Sequence, residues 1–125
     1  MNYLLDTHVL LDLLSARQRF SRVARRILED PLNDVLMSSA SAWEMAIKAA
    51  LGRLRRPDNL EAELLREGIE SLDITVSDAL RAGALPRHHN DPFDRMLVAQ
   101  AQNREMTLVT RDPFLTAYDV RVLIP

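Results

Sequence analysis

Four carboxylates in this 125-residue sequence stand where a parallel α/β fold would gather them, although they are spread over almost its whole length. Asp6 ends the apolar run "NYLL", Glu44 lies in "SSASAWEMAIK", Asp94 lies in "HHNDPFDRMLVAQA", and Asp112 follows "TLVT" by one residue. In a sheet built from βα units, reactive groups collect at the carboxyl ends of the strands, where loops and helix N-termini meet. Asp6 closes the first expected strand and Glu44 is placed in the first turn of the helix after the second. Asp94 opens the helix before the fourth strand, and Asp112 follows that strand. Carboxylates brought this close repel one another, and their pKa values rise unless a cation neutralises them. Cysteine is absent, which excludes thiolate zinc, iron–sulfur and cysteine-nucleophile chemistry. Oxygen-only ligation points to Mg²⁺ or Mn²⁺, and Mg²⁺ held by a few carboxylates takes its other ligands from water and phosphate. The chemistry that follows is metal-assisted hydrolysis of a phosphodiester.

Each acid also has a purely structural explanation. Ser41 to Glu44 fits a capping box, Asp91-Pro92 and Asp112-Pro113 each fit an N-cap followed by proline, and Asp94 faces the positive end of its helix dipole. Local pattern alone does not separate cap from ligand at Glu44 or Asp112. Asp6 resists such a reading: an acid between "NYLL" and "THVLLDLL" should be largely removed from water and then needs a partner or a cation. Arg95 either contacts a phosphate or holds a carboxylate in place. His88 and His89 read as loop support for the Asp91 to Asp94 turn rather than as ligands, since no third nitrogen or sulfur donor lies nearby. His8 is expected to pack at the first helix, and Trp43 to join the core rather than a base-stacking platform. The scarcity of aromatics argues against binding built on stacking.

Positioning these residues requires short β-prone runs alternating with helical stretches, the pattern of a parallel α/β sheet. Strands are expected at Asn2–Asp6, Asp34–Ser38, Leu72–Thr75, Thr107–Thr110 and Val120–Ile124. Helices are expected at His8–Leu14, Arg19–Glu29, Ala42–Leu51, Leu60–Glu70, Asp78–Ala84 and Pro92–Arg104, with a short turn after Asp112. Pro31, "GRLRRPDN" and "GALPRHHND" supply breaks, and Gly52 is a natural helix stop. None is long enough for an interdomain linker, so residues 1–125 read as one domain able to bury a core without disulfides. The net charge of −2 argues against a surface that attracts nucleic acid everywhere and leaves room for local patches. Lys48 is the only lysine; the arginine excess suits phosphates and carboxylates, although GC-rich coding would give the same skew. Arg53, Arg55 and Arg56 read as a solvated helix end that could also meet a phosphate backbone. The N-terminal stretch, with Asp6 inside its apolar run and no basic leader, reads as a buried strand and helix rather than an export signal. No segment approaches a membrane span, and a cytoplasmic location is expected.

The segments "LLDTHVLLDLL", "SSASAWEMAIK", "LPRHHNDPFDRMLVAQA" and "LVTRD", in this order, resemble those of PIN-domain proteins of the VapC toxin type, and the resemblance spans nearly the whole chain. It implies a PIN-like three-layer α/β fold, with a central, mainly parallel sheet of about five strands flanked by helices. It further implies a Mg²⁺- or Mn²⁺-dependent endoribonuclease acting on RNA, inhibition by a cognate VapB-like antitoxin, and a homodimer. Carried over position by position, the family's acidic residues fall on Asp6, Glu44, Asp94 and Asp112. Asp91 then serves as cap or outer-shell group, and Thr110 matches a position whose hydroxyl supports the site. A receiver-like signalling domain would need a lysine near the last strand, and Lys48 is in the wrong part of the chain. A DxDxT phosphatase fails because His8 stands where its second aspartate should be. A PIN-like module that has lost catalysis and only binds a partner is opposed by acids at all four positions.

Overall fold

The computed structural model describes residues 1–15 and 20–125. Five short strands, β1 (Asn2–Leu5), β2 (Asp34–Ser38), β3 (Glu70–Leu72), β4 (Thr107–Val109) and β5 (Arg121–Leu123), form one parallel sheet in the order β3-β2-β1-β4-β5. Parallel strands covered on both faces need apolar side chains in both directions, which is why the central ones read as continuous runs rather than alternating patterns. Leu4 and Leu108 point to one face, with Leu36 packed beside them, into a core closed by Leu97, Val98, Ala101, Met106 and Tyr118. Tyr3, Leu5, Val35, Met37 and Val109 point to the other, against Val9, Leu10, Met45, Leu64 and Ile69. The layers on that second face come from α1 (Thr7–Leu14), α2 (Arg22–Glu29), α3 (Ser39–Ala50) and α4 (Leu60–Glu67); α5 (Val76–Ala84) and α6 (Pro92–Arg104) cover the first. The result is the three-layer α/β architecture expected from the sequence.

Several boundaries differ from expectation, each for a local reason. The third strand was expected at Leu72–Thr75 and runs over Glu70–Leu72. Gly68, at φ 69°, ends α4 in the left-handed region, and the Ile69 amide donates to the Leu64 carbonyl, so the chain is already extended at Glu70. Thr75 is removed from any strand because it caps α5 in a reciprocal capping box with Asp78. The same cap moves the start of α5 from Asp78 to Val76. The third helix starts at Ser39 rather than Ala42, since Ser38 accepts from the Ala40 amide and is its N-cap. α2 begins at Arg22 under a Ser21 cap; Arg19, where that helix was expected to begin, lies outside the described residues. The turn after Asp112 is a short 3-10 helix, Leu115–Ala117.

Candidate metal centre

β1 lies between β2 and β4, so the connections from the sheet's centre depart in opposite directions and open a crevice at the carboxyl ends of β1 and β4. Leu5 pairs with Val109, and the Asp6 amide donates to the Val109 carbonyl at 3.0 Å, which sets Asp6 beside Thr110. The Thr110 hydroxyl donates to Asp6 Oδ2 and accepts from the Asp112 amide at 3.0 Å, tying the two acids to one side chain. Asp6 is also the N-cap of α1, its Oδ1 accepting from the Val9 amide at 2.7 Å. Burial pushes the Asp6 pKa up; the bonds from Thr110 and Val9 and the nearby His8 and Arg111 offset only part of that. A cleft of about 410 Å³, lined by Asp6, His8, Asp12, Arg111 and Asp112, opens beside it.

The second wall is the start of α6. Asp91 caps it, with Oδ1 accepting from the amides of Phe93 (2.8 Å) and Asp94 (3.4 Å), and Pro92 occupies the first turn. This cap aims Asp94 at the crevice, where its pKa is pushed up to about 7, first by burial and then by the like charges of Asp91, Glu44 and Asp6, with His89 opposing. Asp94 thus registers Asp6 and Glu44 electrostatically, although the three are far apart in sequence. His89 Nε2 lies 3.2 Å from Asp94 Oδ2 and 3.0 Å from Asp112 Oδ2. Donor atoms of His89, Asp94 and Asp112 fall within 4.8 Å of one another, a spacing at which one cation could be held.

Glu44 belongs to the same edge but is engaged differently. With Ser38 as cap, Glu44 stands in the second turn of α3, so neither the expected first-turn placement nor the capping-box alternative survives. Its carboxylate is 3% exposed; Oε1 accepts from the Thr7 hydroxyl at 2.6 Å and Oε2 from Lys48 Nζ at 2.6 Å. Thr7 in turn bonds the Ser41 hydroxyl at 2.9 Å. The bond to Glu44 holds Lys48 above the ordinary lysine range against its partial burial, and the charges of Glu44, Asp91 and Asp94 add to it. The ammonium therefore faces the acid cluster. Lys48 went unread as a partner in the sequence, although its i,i+4 spacing from Glu44 signals one.

Other side chains depart from their expected places. Arg95 bonds no carboxylate among the contacts described and lines a cleft other than the acid one, with Gly83, Arg87, His89 and Asn90; it donates to the carbonyls of Ala82 (2.9 Å), Leu85 (3.0 Å), Pro86 (3.0 Å) and His89 (3.3 Å) and to the Tyr118 hydroxyl (3.4 Å). It ties down the loop that carries His89. Trp43, expected in the core, is 62% exposed and meets Phe93 edge-on at 5.5 Å. His8 is exposed at the cleft rather than packed. His88 is exposed and stacks edge-on against Tyr118 at 5.0 Å, away from the acids. Arg55 and Arg56 line a second cleft that shares His8 and Asp12 with the first, so a basic path adjoins the acidic one.

The donor set suits a hard divalent ion: carboxylate oxygens of Asp94 and Asp112 converge, and the ionised form of Asp94 is disfavoured first by burial and then by like-charged neighbours, a penalty a cation would relieve. The family model described as "PIN domain" matches residues 3–120. Among solved structures, a chain of VapBC2 from Rickettsia felis, crystallised with a DNA fragment from its promoter, superimposes with a TM-score of 0.73 at 16% identity, covering 98% of both chains. A toxin–antitoxin complex from Klebsiella pneumoniae gives 0.65 at 24% identity over 98% of this chain and 96% of that one. VapBC-1 from nontypeable Haemophilus influenzae gives 0.65 at 23% identity over 98% and 97%. No curated protein matches the sequence.

Proposed function

Because the chain belongs to the PIN-domain family, we propose that it is a Mg²⁺- or Mn²⁺-dependent endoribonuclease, acting as the toxin of a toxin–antitoxin pair through the acids Asp6, Glu44, Asp94 and Asp112. The observation that carries this reading is the convergence, within 4.8 Å of one another, of a carboxylate oxygen of Asp94, one of Asp112 and the His89 ring nitrogen in a crevice where burial and the like charges of Asp91, Glu44 and Asp6 raise the pKa of Asp94. A cluster that penalises its own charge is suited to a cation. Asp94 and Asp112 would hold the ion, with Asp6 and Glu44 completing the negative wall. Bound there, a divalent ion supplies charge neutralisation and Lewis-acid polarisation for phosphodiester hydrolysis.

This chain's own residues do the rest. Thr110 orients Asp6 and anchors the turn into Asp112; Asp91 fixes the start of α6; Arg95 holds the loop above it. Arg55 and Arg56 lie where an RNA backbone leaving the acid cleft would run. The same acids would accept an arginine from a VapB-like antitoxin arm, which blocks metal and RNA together. Trp43 and Ile47 on α3 and Leu51 at its C-cap, exposed at i, i+4 and i+8, offer an apolar stripe for the second copy in a homodimer. The whole of 1–125 acts as one domain in this reading.

The test is cleavage of single-stranded RNA by wild type, Asp6→Asn and Asp94→Asn across a Mg²⁺ and Mn²⁺ titration. Asparagine keeps shape and one oxygen but removes the charge that holds the ion, so each variant should lose at least about a hundredfold in rate while staying folded. Cleavage undiminished in EDTA, or near wild-type rates in either folded variant, would remove the metal-nuclease reading and leave a partner-binding module.

A further inference from the structure

His89 Nε2 sits between the two carboxylates that would hold the ion, and by distance alone the trio could pass for a His-Asp-Asp site suited to zinc. The other ring nitrogen decides otherwise. Nδ1 accepts from the backbone N–H of Asp91 at 3.0 Å. A nitrogen that receives an N–H presents its lone pair and carries no proton, so the ring proton resides on Nε2. Nε2–H then points at Asp112 Oδ2 and Asp94 Oδ2, at ordinary donor–acceptor lengths of 3.0 and 3.2 Å. Ligation through Nε2 would require the ring to give up its only proton, or Asp91 to surrender its amide bond at the cap of α6.

The ring is held in this pose from several sides. The His89 amide donates to the Tyr118 hydroxyl at 3.0 Å, and that hydroxyl donates to the Pro86 carbonyl at 2.8 Å. Arg95 donates to the His89 carbonyl, to those of Leu85 and Pro86 in the same loop, and to that of Ala82 in the last turn of α5. Phe114 packs edge-on against the imidazole at 5.7 Å. His88, one residue earlier, has no such frame and reaches no carboxylate among the contacts described.

We propose that His89 is the positioning residue of this centre, an imidazole whose Nε2–H is shared by Asp94 and Asp112, setting the gap between them and remaining outside the ion's coordination sphere. The inference rests on the metal-site reading above and adds the basis of its selectivity. With the His89 nitrogen committed to hydrogen bonding, the Asp94–Asp112 pair offers oxygen alone, which favours Mg²⁺ and withholds the imidazole that Zn²⁺ prefers.

Two measurements on the full chain test it. Two-bond ¹H–¹⁵N spectra of the histidine rings, recorded metal-free and with MgCl₂ or ZnCl₂, should show His89 as the Nε2–H tautomer throughout. An Nδ1–H tautomer in the metal-free chain, or loss of the Nε2 proton on adding either ion, overturns the proposal. Calorimetric Mg²⁺ affinity, with melting curves alongside, should fall about tenfold or more in His89→Ala, whereas His89→Gln, whose side-chain amide restores an N–H donor, should stay within about threefold of wild type. Equal losses in the two folded variants also overturn it, as does a wild type that binds no Mg²⁺. The tautomer is read without RNA, so a wild type that binds Mg²⁺ through an Nε2–H site yet cuts no RNA supports the positioning role and strikes out only the ribonuclease.

Discussion

Removing the charge of Asp94 should stabilise the metal-free protein, and should do so only above a defined pH. The carboxyl is raised from 3.8 to about 7, about three pH units, which sets a ceiling of about 4 kcal/mol on the folding penalty of its ionised form. Below about pH 4 the group is protonated in both folded and unfolded chains, and its contribution is fully present. Between about pH 4 and 7 the unfolded chain releases the proton while the folded chain keeps it, so stability falls as pH rises, and the loss is complete above about pH 7. Part of that ceiling returns through relaxation and solvent screening around the ionised group, leaving about 2 kcal/mol as the expected gain for Asp94→Asn at pH 8. For a chain of this length that is a rise of about 6–10 °C in Tm. Asparagine keeps an oxygen for the His89 Nε2–H, so the loop should not collapse. The assay is thermal unfolding of both proteins from about pH 4 to pH 8, in EDTA and in excess Mg²⁺. In EDTA the curves should coincide at the acid end and separate towards pH 8; in Mg²⁺ the gap should close or invert, because only the intact site gains binding energy. A variant no more stable than wild type at pH 8 in EDTA would refute the reasoning.

The same proton links metal affinity to pH: occupancy by Mg²⁺ must expel it from Asp94, so apparent affinity should drop about tenfold per pH unit below about pH 7 and level off above, measurable by calorimetry. Lys48→Met removes a positive charge facing the cluster and should tighten Mg²⁺ binding about fivefold or more, most clearly at low salt; weaker binding would show that Lys48 serves chiefly to place Glu44. Asp78 is a control outside the site. It is fully buried, takes bonds from Arg104 at 2.8 and 2.9 Å and from Asn103 at 2.8 Å, and closes the capping box with Thr75. Burial alone would raise its pKa, but these partners outweigh it and hold the carboxyl well below the usual range. Its stabilisation is therefore present at neutral pH and is lost as the solution is acidified. Asp78→Ala should cost about 3–5 kcal/mol in denaturant unfolding without changing Mg²⁺ affinity.

What the sequence made legible follows from what depends on neighbours along the chain. The central strands could be read because burial on both faces demands apolar runs, and the strand-end acids could be read because topology puts such ends on one edge. Caps were harder: Ser38, Ser39 and Ser41 can all cap, and only the Ser38 Oγ to Ala40 amide bond decides where α3 starts and thus that Glu44 is free of a capping role. Direction across space was not legible. The motif places Arg95 beside Asp94 in sequence, yet its guanidinium turns away to four carbonyls and Tyr118, a residue 23 positions on. Trp43 was assigned inward because large aromatics usually are, but its stripe with Ile47 and Leu51 lies outside, and hydrophobicity alone does not distinguish a core from an interface.

The basic groups at this edge show why residue type alone underdetermines a charged site. Lys48 supplies a full positive charge to Glu44 through one bond and is the group a divalent ion would compete with. Arg95, though always charged, spends its donors on backbone carbonyls, so its contribution is to geometry. His89 supplies a directed N–H through a tautomer chosen by the Asp91 amide, and that amide belongs to the residue that also caps α6. The placement of Asp94 and the donor that bridges it to Asp112 are therefore set by one peptide unit and one side chain of the same aspartate. Disturbing Asp91 should loosen both at once, whereas disturbing His89 alone should spare the helix start. That difference is the physical content of "HHNDPFDR": the first aspartate builds the frame, the histidine spaces the acids, and the second aspartate is left with a charge it can hold comfortably only beside a cation.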